Sequence, residues 1–109
     1  MGILAEFIAG LEGFEWDAGN SEKNWLRHEV RQAEAEQALL NRPLVLAVAQ
    51  RHIAKESRFL AFGRTDAARQ LAVVFTVRSN RVRVISARPL SRAERKIHAQ
   101  AEARSEGDS

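Results

Sequence analysis

The sequence predicts a small α+β domain: a mostly antiparallel sheet, a helical pair after the first strand, and one helix at the C-terminal end. Three observations carry that class. From Arg58 to Ala87 apolar residues recur largely with period two, broken by short polar joints, as the strands of one sheet require. Between Glu22 and Leu40 the pattern is charged and alanine-rich, and it stops at Asn41-Arg42-Pro43, because the residue before a proline avoids helical backbone. Near the end, Ser91-Arg92-Ala93-Glu94 has the spacing of a capping box, which starts a helix.

Each element follows in order. Ile3, Leu4, Phe7, Ile8 and Leu11 stand at helical spacing until Gly10 and Gly13 interrupt them, so residues 1–13 read as an N-terminal extension containing a short helix. Phe14–Asp17 is a strand with Phe14 and Trp16 on one side and Glu15 and Asp17 on the other. Asn20 or Ser21 can cap a helix over Glu22–Arg27, and a second helix spans Gln32–Leu40. Leu44–Ala49 reads as a buried strand, Phe59–Gly63 as the next, and Arg64–Arg69 as a polar loop. Leu71–Val77 is apolar on both faces and belongs in the middle of the sheet. Ser79-Asn80 makes a tight turn, where asparagine tolerates positive φ, and Val82–Ala87 returns antiparallel. The domain therefore covers residues 14–102, with 103–109 a flexible tail.

With 109 residues the chain makes one domain with a single modest core. No apolar run approaches the ~18 residues of a membrane span. The start lacks the positive region of a signal peptide, and the absence of cysteine fits a reducing compartment, so the expectation is a cytoplasmic protein. The net charge of +3 hides an uneven distribution. Met1–Glu36 carries eight acids against Lys23, Arg27 and Arg31, whereas Arg78–Arg104 carries eight bases against Glu94 and Glu102. Such asymmetry fits a polyanion footprint, a basic face covered by an acidic partner, or a solvated arginine-rich surface.

Several chemistries are set aside. There is no glycine-rich phosphate loop, no HExxH and no CxxC. The three histidines lie far apart, and Asp17, Glu56 and Asp66 lack the clustering of a metal-assisted nuclease, so neither a metal nor a cofactor is expected.

Five ordered pieces carry a more specific signal: FEWD at Phe14–Asp17, RHEV at Arg27–Val30, ESR at Glu56–Arg58, FGRTD at Phe62–Asp66, and RVRVISARPLSRAERKIH at Arg81–His98. In this order the chain resembles the BrnT family, small ribonuclease toxins of type II toxin–antitoxin pairs with a RelE-like fold. The resemblance implies cleavage of RNA and neutralisation by a BrnA-like ribbon–helix–helix antitoxin. It also implies a heterotetramer that binds operator DNA through the antitoxin, since this chain has no recognisable helix-turn-helix. Three positions depart from the family pattern. Glu29 stands where the family has glycine, Ala49 where many relatives have aspartate, and Arg27 where lysine precedes the histidine.

Metal-free RNA cleavage uses the 2′-hydroxyl of the substrate as nucleophile on the adjacent phosphate. The protein then needs a proton acceptor, in-line positioning and cations for the developing charge, a role suited to arginine's planar fork. On the last strand Arg81 and Arg83 face one way and Val82 and Val84 the other. Arg83 is mid-strand, and Arg88 closes the strand beside the start of the capped helix, a natural anion site. Arg83, Arg88 and Arg58 are the catalytic candidates among the arginines; their alternative role is to pair with Glu56 and Glu94. Glu56 shares a face with Arg58 and is either a general base or an ion-pair partner. His28 has a pKa suited to proton transfer and matches the family's Lys-His-Gly-Val element, or else it caps a helix end or packs under Trp25. Arg64, Arg78, Arg81, Arg92 and Lys96 are candidate RNA contacts, with Arg64 also a candidate loop anchor. His52 matches a family histidine, and His98 stands where relatives have tyrosine.

Two other readings compete with the toxin. One is a non-catalytic module, a degenerate toxin that binds nucleic acid or a partner. Sparse aromatics (five Phe, two Trp, no Tyr) argue against a stacking platform for single strands. The other is a structural domain whose acidic first half pairs with its basic second half.

Overall fold

The computed structural model describes residues 10–51 and 57–107. The element order is β1 (Phe14–Glu15), α1 (Ala18–His28), α2 (Gln32–Leu40), β2 (Val45–Arg51), β3 (Ser57–Arg64), β4 (Gln70–Arg78), β5 (Arg81–Pro89) and α3 (Arg92–Gly107). The strands form one sheet in the order β1-β5-β4-β3-β2, with apolar β4 at its centre. Three of the pairings are antiparallel, but β1 runs parallel to β5, so the sheet is mixed. The parallel pairing spans two residue pairs, Phe14 with Val82 and Glu15 with Arg83. A strand that short has no alternation from which its partner could be read.

Local chemistry places the helices. Asp17 caps α1, its Oδ1 accepting the Gly19 N–H at 2.8 Å, so the helix begins at Ala18 rather than behind Asn20 or Ser21 as expected. Residue 29 takes φ 52 and its N–H donates to the Trp25 carbonyl at 2.9 Å. This is the left-handed stop that glycine usually makes, built here on a glutamate. The α2 span agrees with the sequence, and Arg31 N–H donates to Glu34 Oε1 at 3.0 Å in its first turn. Ser79 and Asn80 both have positive φ, as the two-residue hairpin turn demands. Ser91 and Glu94 exchange both bonds of the capping box. α3 continues as helix through 103–107, where the sequence predicts a flexible tail.

Both faces of the sheet are used. On the first, α1 packs on β5 and α2 on β3 and β4, over a core of Ala61, Leu71, Val73, Phe75, Val82, Val84 and Ala87 that Val30, Ala35, Ala38 and Leu39 complete. Phe59 and Phe75 stack at 5.2 Å between centroids. Gly63 is required here, because a Cβ would drive into the Ala38 backbone carbonyl of α2. The last residues of the expected N-terminal extension join this layer: Leu11 packs against the core, and Glu12 N–H bonds the Asn80 carbonyl at 2.9 Å. The expected helix over Ile3–Ile8 lies outside the described residues.

The second face holds a smaller cluster of Phe62, Ala72 and Leu90 at the α3 end. Here α3 docks through His98, which is fully buried with Nε2 3.0 Å from the Pro43 carbonyl and Nδ1 3.0 Å from Glu102. Gln70 Nε2 adds a third polar contact to this buried ring, 3.3 Å from Nδ1.

A bulge in β5 links the two faces. Val74 pairs with Ser86 and Phe75 with Val84, so Ile85 is an extra residue. Side chains alternate along a strand, and one extra residue reverses the phase. Val82 and Val84 before the bulge and Ala87 after it therefore all enter the same core.

Candidate functional site

The register brings predicted arginines from two strands into one row. Arg58 of β3 pairs with Thr76 of β4, and Thr76 pairs with Arg83 of β5. Directly paired residues project from the same face, here the face opposite the α2 layer. Arg78 and Arg81 form the next pair toward the hairpin on that face. Thr76 is buried and forms the floor, while Arg58, Arg78 and Arg81 are exposed. Neighbouring strands are about 4.8 Å apart, so the Arg58 and Arg83 backbones lie about 10 Å apart across Thr76. Two extended guanidinium groups from that spacing can converge on one phosphate and bind it bidentately.

Arg83 is held loosely. Its Nη2 lies 3.3 Å from Asp17 Oδ2, in a pair whose side chains keep 24% and 45% of their exposure. A single contact of that kind is worth about 0–1 kcal/mol, so a phosphate can displace it. Asp17 thereby does two jobs, capping α1 with one oxygen and meeting Arg83 with the other. Sequence reasoning placed Asp17 on the right side of its strand but gave it no role. The Asp-x-Gly spacing was the available signal.

The bulge also places Arg88 on the arginine face, but at the α3 end and firmly engaged. Its two terminal nitrogens meet the Glu94 oxygens at 2.7 and 2.8 Å. That hydrogen-bonded pairing holds the Glu94 carboxyl at about 2 despite partial burial, and raises Arg88. Arg64 is similarly tied, to Glu102 of α3 at 3.1 Å. Arg92 and Lys96 lie one turn apart on the exposed side of α3.

His28 stands apart from the row. It ends α1, and its carbonyl accepts Arg69 Nη2 at 2.9 Å. Arg69 lies in the β3–β4 loop, beyond Gln70, and Gln70 to Thr76 along β4 is roughly 20 Å. Arg69 also bonds the Glu29 carbonyl at 2.8 Å and pairs with Glu34 at 3.1 Å. Burial works to raise the Glu34 pKa, but bonds from Arg31 N–H and Arg69 outweigh it and the net shift is downward. Nothing in the sequence distinguished this clamp from any other loop arginine. Glu56 and His52 lie outside the described residues.

Asn24, which no sequence motif marks, repairs the edge left by short β1. Buried in α1, its Oδ1 accepts the Ala87 N–H of β5 at 3.1 Å. Among the described residues no group of three or more His, Asp or Glu could hold a metal ion. No helix there is long and apolar enough to cross a membrane.

Comparisons with known proteins bear on the fold and the family. A crystal structure of the ribonuclease toxin BrnT from Brucella abortus superposes with a TM-score of 0.53 at 23% identity, over 73% of this chain and 97% of that one. At that identity the likeness concerns the fold. No curated protein matches the chain in sequence. The family described as "ribonuclease toxin, BrnT, of type II toxin-antitoxin system" matches residues 16–94, which run from Trp16 beside β1 to Glu94 in the first turn of α3. On a match spanning most of its length, the chain belongs to the BrnT family of type II toxin–antitoxin ribonuclease toxins.

Proposed function

We propose that this toxin is a metal-independent endoribonuclease whose working surface is the arginine row Arg58–Thr76–Arg83, extended by Arg78 and Arg81. The observation that carries the reading is the cross-strand register that lines these residues up on one sheet face. Arg83 and Arg58 grip the scissile phosphate and stabilise its charge as the substrate 2′-hydroxyl attacks. Arg78 and Arg81 hold the neighbouring backbone phosphates. Electrostatic stabilisation of this kind needs no protein nucleophile, and removing one well-placed donor costs about 10²–10³ in rate. Arg64 and Arg88 serve mainly to hold α3 on the sheet, since both are already paired with its carboxylates. Arg92 and Lys96 extend the basic surface along α3 for longer RNA.

The toxin acts in the cytoplasm and is silenced by a BrnA-like ribbon–helix–helix antitoxin that covers the same basic face. Two toxins and two antitoxins form a heterotetramer that binds operator DNA through the antitoxin. The electrostatic asymmetry of the chain and its family membership support this part of the reading.

The test is incubation of the purified chain with a defined RNA in excess chelator, beside Arg83→Ala. Cleavage that survives chelation, leaves 2′,3′-cyclic phosphate ends and fades in the variant is the expected result. Intact RNA with both proteins, in the presence of measurable binding, would replace this reading with a non-catalytic module.

A further inference from the structure

We propose that Glu15 is the general base of this site. The inference rests on the ribonuclease reading above and deepens it by naming the group that takes the proton. In the parallel pairing of β1 with β5, Glu15 stands directly beside Arg83, while Phe14 beside Val82 turns into the core. Glu15 therefore projects from the face that carries Arg83, Thr76 and Arg58, and extends their row by one strand. Its backbone lies about 5 Å from that of Arg83, on the side away from Arg58.

The other acid beside Arg83 is already occupied. Asp17 spends one oxygen on the α1 N-terminus and the other on Arg83. Glu15 is half-buried, and its carboxylate makes no hydrogen bond or ion pair to another described residue. A free carboxylate flanking a phosphate-binding arginine meets the requirements of a proton acceptor: reach, an open lone pair, and a backbone set beside Arg83 by the strand pairing.

The step balances as follows. Glu15 takes the proton from the ribose 2′-hydroxyl, and the 2′-oxygen forms a bond to the 3′-phosphorus. The bond from phosphorus to the 5′-oxygen of the next nucleotide breaks, and that oxygen takes a proton from solvent water. The products are a 2′,3′-cyclic phosphate and a 5′-hydroxyl, and Glu15 returns its proton to solvent.

The experiment uses the full chain with a defined RNA oligonucleotide in excess chelator, measuring kcat against pH for the parent, Glu15→Gln and Glu15→Asp. Binding is followed separately with the same oligonucleotide carrying 2′-deoxyribose at the cleaved position. Glu15→Gln is expected to lose about 10²–10⁴ in kcat and the acid limb of the pH profile. It should bind the deoxy oligonucleotide at least as tightly as the parent, since a negative charge is gone. Glu15→Asp is expected to keep the acid limb at a reduced rate, which guards against a simple folding defect in the glutamine variant. A cleaving parent whose Glu15→Gln variant keeps the same rate or the same pH profile would overturn the assignment. A parent that binds RNA and leaves it intact would overturn the ribonuclease reading and this assignment with it.

Discussion

The face of the sheet opposite α2 carries arginines at both ends, and the two ends use them differently. At the α3 end Arg88 is gripped by Glu94 through both terminal nitrogens, and Arg64 by Glu102. At the hairpin end Arg58 and Arg81 have no ion pair to a described residue, and Arg83 has a single 3.3 Å contact. Residue type and sheet face are the same at both ends. The presence of a facing carboxylate on α3 separates an arginine that builds the fold from one left for a ligand.

That contrast can be broken by substitution, and the largest effect belongs to the hairpin end. Arg83→Ala or Arg58→Ala should lower RNA cleavage about 10²–10³-fold while leaving the thermal midpoint within a few degrees of the parent. Cleavage at the parental rate by both variants would remove the distinction between the two ends. Next comes the clamp outside the row. Arg69→Ala should cost about 1–3 kcal/mol in urea unfolding, because the last carbonyls of α1 lose their charged donor and Glu34 loses its partner. Cleavage per folded molecule should be unchanged.

The α3 end gives a pH signature. Glu94 is depressed to about 2 in the fold, so its pairing stabilises the protein above the ordinary carboxylate pKa and is lost as pH falls from about 4.5 toward 2. With Arg88 still 39% exposed, the contribution at neutral pH is about 1–2 kcal/mol after screening. Glu94→Gln should lose that amount at pH 7 and show a shallower fall in stability below pH 4.5. A variant curve parallel to the parental one would show that the pair does not anchor α3. The smallest effect is a gain: Glu29→Gly should add about 0.5–1 kcal/mol in the same urea assay, by relieving a left-handed residue with a Cβ.

The sequence made some elements legible because they rest on local chemistry. The Ser91–Glu94 box, the Ser79-Asn80 turn and the span of α2 each follow from a few neighbouring residues. The α1 cap went astray by a few positions because Asp17, Asn20 and Ser21 are all competent caps, and tertiary contact with Arg83 favours Asp17. What depends on distant partners stayed hidden. The side-by-side placing of β1 and β5, the reach of Arg69 back to α1, and the burial of His98 beneath Pro43 have no periodic trace. For the candidate site, alternation alone put Arg81 and Arg83 on one face, but it could not rank Arg83 above Arg88. Both the bulge at Ile85 and the geometry of Glu94 had to be seen first.

The extra residue in β5 also makes parity a constraint on this chain. Arg81 and Arg83 keep even spacing on one side of Ile85, and Ser86 and Arg88 on the other, but across it same-face positions are separated by odd numbers. Deleting Ile85 would join the two halves in a single phase. Either Arg83 would turn into the apolar layer beneath α1, or Arg88 would leave Glu94 and Ala87 would face outward. Point substitutions along β5 act on one side chain at a time, whereas a change of length by one residue inverts half a strand at once. Among relatives of this chain, β5 should therefore hardly vary in length.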